Sequence, residues 1–179
     1  NKLIKACETT NSTPHILFSS STQESNDNLY GKSKFDGRKL LEEWAERNQA
    51  KFTGLIIPNV FGPFGNPYYN SFIATFCHQL THDENPKIDV DGEVKLIYVG
   101  ELVQGIFEVI SNSILVTSHQ LPVTTKIKVS KVLSLLESYK ENYLEKGIFP
   151  DLTNSFNRNL FNTFVTYIDH EKYFPYPLT

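Results

Sequence analysis

A chain of 179 residues with a formal net charge of -3 suits one domain, or a core with a smaller lobe. Its 17 lysines and arginines are scattered without a basic stripe, which argues against nucleic acid as a partner. The balance of 40% hydrophobic and 21% charged residues is that of a globular chain, and no apolar run reaches the length of a membrane span.

Residues Asn1 to Thr10 read as the end of a helix, and Asn11 to Pro14 as a turn cluster. His15-Ile16-Leu17-Phe18, running into Ser19-Ser20-Ser21, reads as a buried parallel strand. A polar loop follows from Thr22 to Asn28. Tyr30 to Asn48 has helical periodicity: Leu40, Leu41, Trp44 and Ala45 form an apolar stripe, with Glu42, Glu43, Glu46 and Arg47 expected toward water. Phe52 to Ile57 is a second continuous apolar strand, and Pro58 to Asn70 a loop rich in Gly, Pro and Asn. Ser71 is placed to cap a helix through Leu80. Asp91-Gly92 predicts a hairpin between strands over Lys87 to Val90 and Val94 to Val99. Helices are expected over Glu101 to Ser111, from Ser130 to about Lys146, and over Asn154 to Thr166, with a short strand over Gln120 to Val123. Alternating strands and helices in the first half imply βαβ units and a parallel sheet, an α/β fold.

Cys7 and Cys77 make no disulfide framework and read as buried free thiols in a reducing, cytosolic setting. No signal-peptide pattern stands at Asn1, where the sequence reads as mid-domain. His78 and His82 lie one helical turn apart but lack an accompanying zinc motif, so they read as surface histidines and no metal is expected. Asp89 and Asp91 fit turn chemistry. Phe61, Phe64, Tyr68, Tyr69, Phe72 and Phe76 suit either core packing or contact with a nucleotide base.

Ser21, Tyr30 and Lys34 are the candidate chemical group. Four residues apart on a helix, Tyr30 and Lys34 share a face. A phenol is a poor proton-transfer group at neutral pH unless a nearby ammonium favours its ionised form. A serine hydroxyl at the end of the preceding strand can hydrogen-bond a carbonyl, and together the three can move a proton to or from an oxygen. The Tyr-x-x-x-Lys spacing alone is weak, with about 0.7 chance occurrences in a chain of this composition. Its place, opening a helix just after a strand that ends in serines, is what adds weight.

Phe18-Ser19-Ser20-Ser21, Tyr30-Gly31-Lys32-Ser33-Lys34 and Pro58-Asn59-Val60-Phe61-Gly62-Pro63 together resemble the extended short-chain dehydrogenases that act on nucleotide sugars. Leu96 to Glu101 is similar to a later element of that family. Ser19 to Gln23, the short gap to Tyr30, Asn66 to Cys77 and the ending Phe174-Pro175-Tyr176-Pro177-Leu178 resemble a narrower group, the bifunctional capsular-polysaccharide reductases of UDP-N-acetyl-6-deoxy-hexosamines. The resemblance implies the C-terminal part of a Rossmann-like short-chain dehydrogenase domain. Residues 1–60 would be its second half, with the Ser/Tyr/Lys site, and 61–179 mainly a substrate-binding lobe with C-terminal helices.

The same resemblance implies the roles. Ser21 would polarise a 4-keto oxygen, with Thr22 as the alternative if the register shifts by one. Tyr30 would donate the proton. Lys34 would assist Tyr30 and bind the nicotinamide ribose. Ser19 and Pro58 would lie near the nicotinamide, and Asn59 and Asn70 near the UDP-sugar. The cofactor would be NADP(H) or NAD(H), with NADP(H) preferred on family grounds only. A homodimer, a following cupin domain and a cytoplasmic location are also implied, without membrane or nucleic-acid partners. Leu41 and Trp44 would belong to the dimer interface or to the monomer core.

Two departures bear on activity. The glycine-rich turn that seats a pyrophosphate on a helix N-terminus is absent from these 179 residues, so the chain by itself is expected to be inactive. Ile57 and Gly100-Glu101 stand where the family often has an arginine and an aspartate pair. The competing readings are a non-catalytic interaction module of the same fold, or a nucleotide-sugar epimerase or dehydratase. A dehydratase would want an acidic pair after the serine, and Thr22-Gln23-Glu24 offers only Glu24.

Overall fold

A computed structural model of the protein describes residues 2–112 and 119–173. The segment Phe174 to Leu178 lies outside the described residues. The chain falls into two compact units, Asn1–Pro58 with Leu102–Pro122, and Asn59–Glu101 with Val123–Thr179.

The first unit holds α1 (Lys2–Thr9), β1 (Ile16–Ser21), a 3-10 turn (Thr22–Ser25), α2 (Leu29–Arg47) and β2 (Phe52–Ile57). β1 and β2 run parallel from Ile16↔Phe52 to Ser21↔Ile57, and β5 (His119–Gln120) adds in parallel to β2. A parallel connection needs a crossover, and α2 supplies it. Ile4 and Cys7 of α1 and Trp44 and Ala45 of α2 pack with Ile16 and Phe52, joined by Phe18 and Leu41. Trp44, only 1% exposed, is therefore a core residue of this unit.

Asn28 caps α2 by accepting the Gly31 N–H at 2.8 Å, and the helix begins at Leu29, one residue ahead of the expected start. Glu42 departs from the expected pattern. It is buried, 3.8 Å from Arg38 and 2.9 Å from Lys39, while Leu40 is exposed. A charged side chain tolerates burial when partners compensate it, and amphipathic periodicity carries no sign of such pairing.

The second unit is built on β3 (Asn59–Phe61), β4 (Glu93–Tyr98) and β6 (Thr125–Lys128), with β4 parallel to β3 and antiparallel to β6. Helices α3 (Phe72–Thr81), α5 (Val129–Tyr139) and α6 (Ser155–Val165) bury Ile73, Cys77, Val132, Leu136, Leu160 and Phe164 in one core. Ser71 accepts the Ala74 N–H at 3.3 Å, the expected cap of α3. α4 (Val99–Ser111) follows β4, and α7 (His170–Tyr173) closes the described chain.

Three expectations for this unit are corrected. The hairpin around Asp91-Gly92 does not form, and β4 pairs with β3 and β6 instead. Asp91 accepts the Ser130 N–H at 2.8 Å and the Ser130 hydroxyl at 2.9 Å, while Val129 N–H donates to Gly92 O at 3.1 Å. The Asp-Gly pair thus ties down the start of α5 rather than turning a hairpin. Those bonds from Ser130 also hold the Asp91 carboxyl below its usual value. Ser130 consequently receives a cap instead of providing one, and α5 begins at Val129. Lastly, α5 gives way to a π-helical turn over Lys140–Glu145 rather than continuing unbroken.

Candidate active site

β1 ends in the three serines, and the pleat sends alternate side chains to opposite faces. Phe18 and Ser20 face α2: the Phe18 ring lies where a Cβ on Gly37 would meet it at 3.1 Å. Ser19 and Ser21 therefore share the other face, with Cα atoms about 6.6 Å apart along the strand. Ser19 is exposed, while Ser21 is 9% exposed. The Ser21 Oγ accepts the Gln23 N–H at 3.1 Å as the cap of the 3-10 turn. Its own hydroxyl hydrogen is left to donate.

The first turns of α2 carry the other two groups. Tyr30 is 49% exposed, so its phenol is open to a ligand. The Lys34 ammonium donates to the Ser19 carbonyl at 3.1 Å and lies 5.8 Å from the Tyr30 ring centroid. Lys34 thus joins the end of β1 to the helix bearing Tyr30. Pro58 is buried just after β2, the strand paired with β1. Asn59 and Asn70 belong to the second unit: Asn59 opens β3 opposite Leu96, and Asn70 is exposed with φ of 57°.

Beside this group stands an ionic cluster that the sequence reading missed. The Ser20 hydroxyl donates to Glu24 Oε2 at 2.6 Å. Arg38 donates to the same carboxylate twice, Nε to Oε2 at 3.0 Å and Nη2 to Oε1 at 2.8 Å. Burial pushes the Glu24 pKa up, but the hydrogen bonds from Arg38 and Ser20 and the charges of Arg38 and Lys39 outweigh it, leaving it lowered. Arg38 is held protonated in turn, chiefly by the hydrogen bond to Glu24. Glu24 is thus committed to a salt bridge with Arg38. The overlooked signal was spacing: Tyr30, Lys34 and Arg38 recur every four residues and form one stripe on α2.

The second unit carries polar and aromatic contacts of its own. Phe64, Tyr68 and Tyr69 are exposed, whereas Phe61 and Phe76 are buried. Tyr68 donates to Glu84, and its ring packs edge-on against His78, which stacks on His82 at 3.9 Å. Among the described residues no group of three or more histidine, cysteine or acidic side chains could hold a metal ion.

Parallel strands joined by a crossover helix, as β1, α2 and β2 are, make the fold of the short-chain dehydrogenase class. Residues 3–118 match the NAD dependent epimerase/dehydratase family, and the chain belongs to that family. Over 163 residues it is 27% identical to a UDP-2-acetamido-2,6-beta-L-arabino-hexul-4-ose reductase of Pseudomonas aeruginosa, covering 88% of this chain and 43% of that protein. The crystal structure of the capsular polysaccharide assembling protein CapF from Staphylococcus aureus superposes with a TM-score of 0.87 at 31% identity, over 99% of this chain and 50% of that one. A UDP-glucose 4-epimerase from Thermotoga maritima, at 17% identity and a TM-score of 0.72, shares the fold, over 92% of this chain and 66% of that one. The chain thus spans about half the length of the reductase and of CapF.

Proposed function

We propose that this chain is the catalytic-serine, tyrosine and lysine part of an NAD(P)H-dependent reductase of a UDP-4-keto-6-deoxy-N-acetylhexosamine, serving capsular or surface polysaccharide synthesis. The observation that carries this reading is the bond from Lys34 Nζ to Ser19 O, which gathers lysine, tyrosine and the serine end of β1 in one unit. The reductase and CapF similarities support the substrate class.

Ser21, with its oxygen already accepting from Gln23, donates its hydroxyl hydrogen to the substrate ketone and polarises it. Tyr30 delivers the proton to that oxygen as the carbonyl becomes an alcohol. Lys34 stabilises the charge left on the phenol. Lys34, bonded at the end of β1, and the exposed Tyr30 would hold the ribose at the nicotinamide end of a cofactor, with Ser19 and Pro58 near the ring. Bound NAD(P)H would supply the hydride. No glycine-rich phosphate turn lies within these residues, and the pyrophosphate would be held elsewhere. Asn59 and Asn70 would contact the UDP-sugar. We further propose a longer protein with its phosphate-binding half before this chain and a cupin domain after it, working as a cytoplasmic homodimer; the relatives' greater length leaves room for both additions. NADP(H) is preferred to NAD(H) on family grounds. The commitment of Glu24 to Arg38 favours reductase over dehydratase.

The test joins this chain to the polypeptide that precedes it in its own gene and follows NAD(P)H oxidation with the keto-sugar. Tyr30→Phe should abolish turnover while leaving cofactor binding intact. Absence of cofactor binding by that longer protein would favour a non-catalytic interaction module.

A further inference from the structure

We propose that Glu24 and Arg38 form a part-buried strut that sets the position of Ser21, which makes them positioning residues for the reaction proposed above, on which this inference rests. Ser21 does not hold its own hydroxyl in place. Its Oγ is oriented by the Gln23 N–H, which sits in the 3-10 turn Thr22–Ser25. Whatever fixes that turn therefore fixes the direction in which Ser21 donates.

The turn is fixed from α2. Arg38 reaches back fourteen residues to grip the Glu24 carboxylate with two donors, and a guanidinium fork on a carboxylate dictates direction as well as distance. Ser20, the residue before Ser21, adds a third bond to the same carboxylate. Strand end, turn and helix thus converge on one group. The helix that provides Arg38 also bears Tyr30 and Lys34, so a single rigid element sets where both Ser21 and Tyr30 stand. Their hydroxyls must each come within about 2.6–3.2 Å of the same substrate oxygen.

The burial of the strut argues that it specifies geometry. The side chains of Arg38, Glu24 and Glu42 are 8%, 15% and 10% exposed. A desolvated ion pair adds little stability over an apolar replacement of similar volume. What an apolar pair cannot provide is the two-pronged orientation of the Gln23-Glu24 backbone. The negative charge of Glu42, itself paired with Lys39, balances the remainder of the cluster.

The experiment uses the longer protein described above and two variants, Glu24→Gln and Arg38→Lys, each removing the fork while keeping side-chain length. In both, kcat should fall by about 10- to 100-fold, with KM for the sugar within about twofold, because a misplaced donor weakens the transition state rather than binding. Hydrogen exchange at the Gln23 amide should speed up by about tenfold, with the core strand amides of Leu55 and Ile56 unchanged. Unchanged kcat and unchanged Gln23 exchange in a folded variant overturn the proposal. So does acceleration spread evenly over the Gln23, Leu55 and Ile56 amides, the mark of a purely structural pair. If the unaltered protein reduces no keto-sugar, the reductase reading fails, and the Gln23 exchange alone then decides the strut: acceleration confined to the turn supports it, and no acceleration rejects it.

Discussion

Gly31 lies so close to Gln23 that a Cβ on the glycine would stand 2.4 Å from the Gln23 carbonyl oxygen, and only 2.6 Å from that of Asn26. Both obstacles are backbone atoms, which cannot swing aside as a side-chain tip can. Gly31→Ala should therefore push the 3-10 turn away from α2. The expected cost is about 1–3 kcal/mol in chemical denaturation. A stability within about 0.3 kcal/mol of the parent would show that the turn yields freely.

Leu136 and Leu160 are fully buried in the core of the second unit. Truncating either to alanine should cost about 2–5 kcal/mol, from lost transfer energy and the cavity left behind. An exposed position offers a control, since Val90→Ala, at a site 78% exposed, should change stability by less than about 0.5 kcal/mol. Urea titration of the three variants makes the comparison.

Asp83 accepts from Lys140 at 2.9 Å and also from Lys172. The hydrogen bonds from Lys172 and Lys140 pull its pKa from 3.8 down to about 2. A depressed carboxylate stabilises the fold above its unfolded value, and that contribution disappears as pH falls through the folded value. The melting-temperature gap between the parent and Asp83→Asn should hence be open at pH 6, narrow below pH 3.8 and close near pH 2. Asp83 and Lys172 are exposed and Lys140 partly so, and the gap should therefore be small and should shrink further in about 1 M salt. A gap independent of pH would dissociate Asp83 from the effect.

Cys77 has no exposed surface, and burial pushes its thiol far up from the ordinary range. Cys7 is buried in the other core. The thiolate is the reactive form, so neither residue should react with a disulfide reagent in the native protein over minutes. Both should react at once in denaturant. Prompt labelling of one thiol in native buffer would reveal an opening of the corresponding core.

The structure around the candidate group was legible because it is local: strand end, tyrosine and lysine lie within fourteen residues of each other, and a four-residue spacing puts two side chains on one helix face. Asp91-Gly92 was misread because its partner, Ser130, is 39 positions away, and no dipeptide records such a tie. β3 and β6 escaped notice for a related reason. Three or four residues of strand gain their identity from pairing with β4, not from their own alternation. Glu42 shows the same limit for charge, since burial followed from Arg38 and Lys39 rather than from any apolar character of its own.

Phe64 and Tyr68 both hold left-handed backbone, at φ of 60° each, with their rings 84% and 60% exposed. Outside glycine that conformation costs about 1–2 kcal/mol per residue. Tyr68 offsets part of that cost through its bond to Glu84 and its packing on His78, and the rise in melting temperature on Phe64→Gly would gauge how much firmness the protein forgoes at the other site.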